Sequence, residues 1–262
     1  MANVPRKTLT RVVAPCVACV LLVVLWQAVC TLGLVPGFML PSPLDVVGAL
    51  VADGQLLASH AATTLSEALL GLAAGMAVGF GLAVAMERFR LVDAALGPLV
   101  TLSQTIPVVA VAPLLVLWFG YGMLPKVLLV ALTTFFPITV ALASGFRSVD
   151  PDAVDLLRTM GASRWQVFRF AKLPAAAGSF FAGLRISATY AVIGAVVAEW
   201  LGGFDGLGVY MTRVRKSYDY DSMFASIIVI AAVSLALLAA AKALERACMP
   251  WRRARRSNRD DS

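Results

Sequence analysis

The chain reads as an all-α, polytopic membrane protein with about six transmembrane helices and both termini in the cytoplasm. Four observations predict this. Of 262 residues, 60% are hydrophobic and only 14% charged, against about 25% charged in an ordinary soluble domain. Mean hydropathy is +0.85. Six runs approach or exceed the roughly 20 apolar residues that a spanning helix needs. Lys and Arg gather in alternate connections, as the positive-inside rule requires. The net charge of +7 is explained by these short basic connections, so it does not point to nucleic acid.

The first run, Val12 to Leu32, follows Arg6 and Lys7 in the manner of a signal peptide, but it is longer than a usual apolar signal core of about 7–15 residues. It is read as a span. Cys16, Cys19 and Cys30 lie in it, and Cys248 lies beside the last run. Cys16-x-x-Cys19 has metal-ligand spacing without a second pair or a following histidine, so these are small apolar residues. The second run covers about Ala61 to Met86, the third Leu96 to Phe119, the fourth Val127 to Phe146, the fifth Ala175 to Leu201 and the sixth Met223 to Leu244. Residues 1–11 and 247–262 are expected to be cytoplasmic ends flanking a transmembrane domain over 12–246.

Between the first two runs, Leu40-Pro41-Ser42-Pro43 predicts a stiff extended turn. Val46, Val47, Leu50 and Val51 then recur at helical spacing, which predicts a short helix near the outer surface. Gly71, Gly75 and Gly79 form a small-residue stripe that lets another helix approach, within the chain or in a second copy. Gly202 to Gly208 contains four glycines and is expected to be a closely packed turn rather than a regular helix.

The cations set the orientation. Arg6, Lys7 and Arg11 precede the first run; Arg88 and Arg90 follow the second. Arg147, Arg158, Arg164, Arg169 and Lys172 lie between the fourth and fifth, and seven more lie from Lys242 onward. The opposite side holds Lys126, Arg213, Arg215 and Lys216. The Arg213 to Lys216 cluster is a local exception to the rule.

The longest interruption of the apolar pattern is DAVDLLRTMGASRWQVFRFAKLPAAA, Asp152 to Ala177. Asp150-Pro151-Asp152 has the character of a helix start. Val154, Leu157 and Met160 form an apolar stripe. Gly161 breaks the helix, Ser163 can cap a second one, and Leu173-Pro174 is expected to end that one before the next span. The product is a cytoplasmic helix-Gly-helix hairpin over about 150–174. From the residues alone it is either an interfacial helix with snorkelling cations or a docking element.

These residues resemble the permease subunits of binding-protein-dependent ABC importers. That family carries a cytoplasmic Glu-Ala-Ala, then three residues, Gly, nine residues, Ile, one residue and Leu-Pro. Here Gly161 precedes Leu173-Pro174 at that spacing. Asp155 takes the Glu position, Leu156 and Leu157 replace the alanines, and Ala171 replaces Ile. LPSP at Leu40, the stretch from Leu99 to Gly122, FFPI at Phe135, GFRSVDPD at Gly145 and AEWLGGFDGLGVYM at Ala198 look like the nitrate, sulfonate and taurine group. Within it, SQTIPVVAVAP and EWLGG…GLGVYM look closest to permeases of thiamine-precursor pyrimidines and related heterocycles.

The resemblance implies a type I ABC importer permease fold and a pathway formed by two permease chains, as a homodimer. It also implies two cytoplasmic ATPase subunits, an extracytoplasmic solute-binding protein and surrounding lipid as partners. Asp155, Leu157, Arg158, Gly161, Ala162, Leu173 and Pro174 would couple the chain to the ATPase. ATP and Mg would be used by that partner: this chain has no Gly-x-x-x-x-Gly-Lys-Ser/Thr loop and is expected to bind no cofactor or metal.

Pathway candidates come from polar groups at membrane depth. Ser103-Gln104-Thr105 beside Pro107 leaves backbone groups that must be satisfied inside protein or by water. Gln104 and Thr105 are therefore candidates, as are Thr133, Thr134, Thr189 and Tyr190, with helix–helix hydrogen bonding as the alternative. Glu67, Arg185 and Glu199 are ionisable groups inside runs, functional by default. Glu67 is expected to reach water, Arg185 to snorkel, and Glu199 to gate, touch solute or pair with the Arg213 cluster. A proton-coupled transporter using Glu67 or Glu199 is the rival class. His60 and the absence of an acid–base–nucleophile cluster argue against an enzyme.

Overall fold

The computed structural model describes residues 6–37 and 39–250, with side chains from residue 13 onward. The basic tail from residue 251 and the side chains of Arg6, Lys7 and Arg11 lie outside the described residues. In chain order the helices are α1 (Arg6–Thr31), α2 (Pro43–Ala52), α3 (Gly54–Arg88), α4 (Arg90–Ser103), α5 (Val108–Phe119), α6 (Met123–Arg147), α7 (Pro151–Thr159), α8 (Arg164–Val167), α9 (Leu173–Leu201), α10 (Leu207–Lys216) and α11 (Tyr220–Cys248). A π segment, Phe168–Lys172, joins α8 to α9. No strand occurs among the described residues.

Five helices are long and apolar enough to cross a membrane, six if the α4–α5 pair counts as one crossing. The expectation of six apolar runs is met, but the third is not one straight helix. α4 and α5 meet at 99°. Pro107 cannot donate to the helical ladder, and residues 104–107 form a turn instead. α1 shows the opposite extreme: none of its apolar window is buried within the chain. Leu21, Leu22 and Leu25 face outward, an arrangement suited to lipid and costly in water.

The chain divides into two compact units. The first comprises Met1–Ala58 and Tyr210–Val229. In it, Ser42 and Asp45 form a reciprocal capping box that starts α2 directly after the Leu40-Pro41-Ser42-Pro43 turn. Trp26 Nε1 donates to the Pro41 carbonyl at 3.0 Å, and its ring lies 5.9 Å from that of Phe224. The Tyr210 hydroxyl donates to Asp53 Oδ2 at 2.6 Å. Burial and that carboxylate push the Tyr210 phenol up to about 12.

The second unit, Ser59–Val209 and Ile230–Ser262, holds the main core. Val130, Ile138, Leu142 and Phe146 of α6 pack with the small residues Ala176, Ala188, Ala191 and Ala195 of α9. Gly71, Gly75 and Gly79 of α3 form the seat for α6. A Cβ on Gly75 would overlap the Thr134 hydroxyl, and one on Gly79 would come within 2.6 Å of the Phe135 carbonyl. The stripe thus serves packing within the chain. Leu237, Ala241 and Met249, beyond the end of α11, close the same cluster.

The glycine-rich connection is only half turn. Gly202, Gly203 and Gly206 have positive φ, but α10 begins at Leu207 and was not anticipated. Its signal was present: Leu207, Tyr210 and Val214 recur at helical spacing and are buried. The dense glycines masked it.

Candidate functional site

The hairpin between α6 and α9 is built from local chemistry. Asp150 caps α7 by accepting from the Asp152 amide at 3.0 Å, and Pro151 occupies the first turn. Gly161 has φ +84. Its amide donates to the Arg158 carbonyl, and the Ala162 amide to that of Leu157, each at 2.9 Å. This is a Schellman closure, in which only glycine takes the left-handed position without strain. Ser163 and Gln166 then form a second capping box, at 2.7 and 3.3 Å.

The expected stop at Leu173-Pro174 does not occur. Helix runs unbroken from Arg164 to Leu201. The Leu173 amide donates to the Phe168 carbonyl five residues back. This wider π turn makes room immediately before the Pro174 ring, which an α-turn would clash with.

The root of the hairpin is fixed. Val154 and Val167 are buried, and Phe168 stacks near Phe146 and Trp165 at 5.4 and 5.7 Å. Lys172 pairs with Glu87, and Arg147 with Asp93 at 2.8 Å. Asp155 and Arg158 pair at 3.3 Å on the surface. The hairpin also carries large exposed apolar side chains: Leu156 (63%), Met160 (75%), Trp165 (64%) and, beside α9, Phe170 (66%). Leu157, by contrast, is half-buried. Leu156, Trp165 and Phe170 were missed by sequence reasoning, which followed the single stripe of Val154, Leu157 and Met160. The Leu156–Met160 pair at i and i+4 was the available signal.

A second constellation is interior. Glu67, expected to reach water, is 2% exposed and pairs with Lys126 at 2.6 Å. Lys126, read among the cations of the outer side, belongs to α6 and is buried. Its ammonium also donates to the Asp205 carbonyl at 3.3 Å. Glu199, 1% exposed, accepts from the Thr64 hydroxyl at 2.7 Å and from the Gly208 amide at 2.5 Å. The Leu207 amide donates to Thr64 Oγ1 at 2.8 Å, and the Gly206 amide to His60 Nδ1 at 3.0 Å. Amides at the start of α10, which have no partner within the helix, are thus held by side chains of α3 and α9. Gly206 and Gly208 are required because a side chain there would run into the Glu199 carboxylate. Arg185, expected to snorkel, pairs with Glu245.

The pathway candidates are dispersed. Gln104 and Thr105 are exposed in the α4–α5 break, where the Thr105 hydroxyl donates to Leu102 at 2.8 Å. Thr133 is half-buried and donates to Val130 at 2.8 Å. Thr134 is wholly buried, and its carbonyl accepts from Ser187 of α9 at 2.7 Å. Thr189 and Tyr190 lie exposed on α9.

With this geometry in view, comparison with known proteins decides the family. Residues 75–249 match the family described as binding-protein-dependent transport system inner membrane component. The chain belongs to that family. It is an ABC importer permease and a multi-pass membrane protein. It is similar to the formylaminopyrimidine transport permease protein ThiX of Halalkalibacterium halodurans, 40% identical over 82% of this chain and 87% of the relative. It is also similar to the riboflavin transport system permease protein RibX of Chloroflexus aurantiacus, 38% identical over 90% and 88%. Among solved structures, an inward-facing form of the MetNI methionine ABC transporter matches with TM-score 0.63 and 18% identity. The match covers 75% of this permease and 97% of that chain, and it establishes the fold alone.

Proposed function

We infer that this permease is one of two copies lining the pathway of an ATP-driven importer. It receives a small nitrogen heterocycle, a thiamine-precursor pyrimidine or a close relation, from an extracytoplasmic binding protein. The observation that carries the coupling role is the exposed hairpin. Leu156, Met160, Trp165 and Phe170 are each large, apolar and exposed on a segment whose cations assign it to the cytoplasm. Outside lipid, such exposure marks an interaction surface. Two ATPase subunits fit it, one per hairpin.

The hairpin's build suits a lever. Both helices are capped, the Gly161 turn is closed by two hydrogen bonds, and α8, the π segment and α9 form one continuous rod. ATPase closure would move this rod and switch the pathway between inward-open and outward-open states. Gln104, Thr105, Thr133, Thr134, Thr189, Tyr190 and Glu199 remain the proposed pathway set, with the exposed members better disposed to meet solute. The heterocycle reading rests on the formylaminopyrimidine and riboflavin relatives; sulfonate, taurine or nitrate is the alternative.

Two experiments test this. Gly161→Glu forces a side chain onto a left-handed position at the tip. It should abolish uptake and ATPase co-purification while leaving membrane insertion intact; normal uptake would remove the docking role. For the solute, the binding protein should gain thermal stability with formylaminopyrimidine or a related heterocycle. A shift with taurine or alkanesulfonates instead would reassign the cargo.

A further inference from the structure

α9 belongs to the best covered of the long helical rods: 56% of its apolar window is buried, against 33% or less in the other spans. One narrow stripe stays open. Ile186, Thr189, Tyr190 and Ile193 are exposed, and they recur at the spacing of a single helix face. The stripe is deep. α9 runs from Leu173 to Leu201, so Tyr190 stands about 26 Å from its cytoplasmic end and about 17 Å from the other. A hydrocarbon core about 30 Å thick, centred on this helix, includes it by a wide margin.

Tyrosines of spanning helices gather at the membrane–water boundaries, and this one does not. Tyr190 is 49% exposed, and among the described residues its hydroxyl has no hydrogen-bond partner. Thr189 beside it turns back to the Arg185 carbonyl at 3.4 Å. A phenol hydroxyl without a partner is costly in hydrocarbon, so Tyr190 faces water or a polar ligand rather than acyl chains. Thr133 of α6 borders α9 one turn further out: a Cβ on Gly194 would lie 3.1 Å from its hydroxyl. Pro137 of α6 has no amide hydrogen, so the Thr133 carbonyl lacks its usual helical donor.

We propose that Tyr190 is the platform on which the solute's planar ring stacks part-way across the membrane. This rests on the importer reading above and deepens it to a residue that selects the solute. Ile186 and Ile193, one helical turn to either side, are the apolar shoulders of the platform. A ring face stacks on an aromatic side chain whatever its substituents. The phenol hydroxyl can donate to a ring nitrogen or accept from an amino group, and the Thr133 carbonyl offers a further acceptor. The same surface suits a sulfonate or nitrate poorly. Such anions call for Arg or Lys, and the cations of α6 and α9 within the spans are taken: Lys126 by Glu67 and Arg185 by Glu245. The stripe therefore favours a flat nitrogen heterocycle over a small anion.

The test uses the complete permease–ATPase complex in proteoliposomes, with its binding protein and labelled formylaminopyrimidine. Tyr190→Leu keeps an apolar side chain and removes the ring, and uptake should fall about ten-fold or more. Tyr190→Phe should keep most of the uptake, because the ring remains. Tm and recovery of the complex should hold in both. Wild-type uptake by Tyr190→Leu, equal losses in the two variants, or a loss that tracks a fall in Tm would each overturn the proposal. A second readout does not depend on transport. In a background with Cys16, Cys19, Cys30 and Cys248 replaced, Tyr190→Cys should react with a charged methanethiosulfonate reagent, and excess formylaminopyrimidine should slow the reaction several-fold. No reaction would place the residue against lipid or a second copy, and reaction at an unchanged rate would remove the ring contact; either overturns the proposal. A wild-type complex that imports taurine or alkanesulfonates and not the heterocycle would overturn the solute reading, and this platform with it. Wild-type heterocycle uptake by Tyr190→Leu would remove the platform alone.

Discussion

Lys126 and Glu67 set the sharpest residue-scale constraint. Both are buried, and their 2.6 Å contact stands in the interior of a membrane domain. Removing one partner strands the other charge, which costs about 3–5 kcal/mol, whereas replacing both with apolar groups is often neutral. Lys126→Met should therefore lower Tm of the detergent-solubilised protein sharply, and Glu67→Leu combined with Lys126→Met should recover most of the loss. An additive double variant would contradict the pairing. Glu199→Ala should also destabilise, because the Gly208 amide loses its acceptor and Thr64 keeps only the longer contact to the His60 carbonyl. The exposed Asp155–Arg158 pair contrasts with these: surface pairs contribute only about 0–1 kcal/mol. Sequence reading singles out Glu67 and Glu199 as ionisable groups inside apolar runs, but it sends Glu67 to water and identifies neither partner. Lys126 and Thr64 lie 59 and 135 residues away from them in the chain, and no local pattern encodes that pairing.

At the scale of elements, legibility followed the range of the forces involved. α2 and the hairpin were readable because their caps are local: Ser42 with Asp45, Asp150 with Pro151, Gly161, and Ser163 with Gln166. The long apolar helices were readable from hydropathy. Two elements were misread for the same reason, the weight given to Gly and Pro. Pro174 does not stop its helix because a π turn absorbs it. The glycines before α10 form a short connection packed against Tyr121, Lys126 and Glu199, and α10 starts directly after it. The α3–α6 seat gives the test at this scale. Gly75→Leu should push the two helices apart and lower stability by at least about 1–3 kcal/mol, read as a drop in Tm. Gly81→Leu, where nothing lies within 4 Å, should be tolerated.

The whole molecule turns on how often the chain crosses the membrane. Five crossings would place the hairpin, with Arg158, Arg164, Arg169 and Lys172, on the side opposite Arg88 and Arg90. Six place them together, as the positive-inside rule demands. The α4–α5 pair is thus one broken crossing. In a background with Cys16, Cys19, Cys30 and Cys248 replaced, Arg90→Cys and Met160→Cys should label only from the cytoplasm. Tyr121→Cys and Lys216→Cys should label only from outside. Labelling of Arg90→Cys and Tyr121→Cys from the same side would make the pair a re-entrant loop and move the hairpin out of the cytoplasm.

That placement matters because the hairpin is the proposed link between solute movement and a partner's ATP hydrolysis. The direct measurement is uptake into proteoliposomes holding this permease and its ATPase, with binding protein and labelled formylaminopyrimidine outside and ATP inside. Uptake should require ATP and binding protein, ignore a proton uncoupler, and disappear in the Leu156→Asp/Met160→Asp variant. Uptake by the permease alone that collapses with the uncoupler would contradict the account and make the protein a proton-coupled transporter.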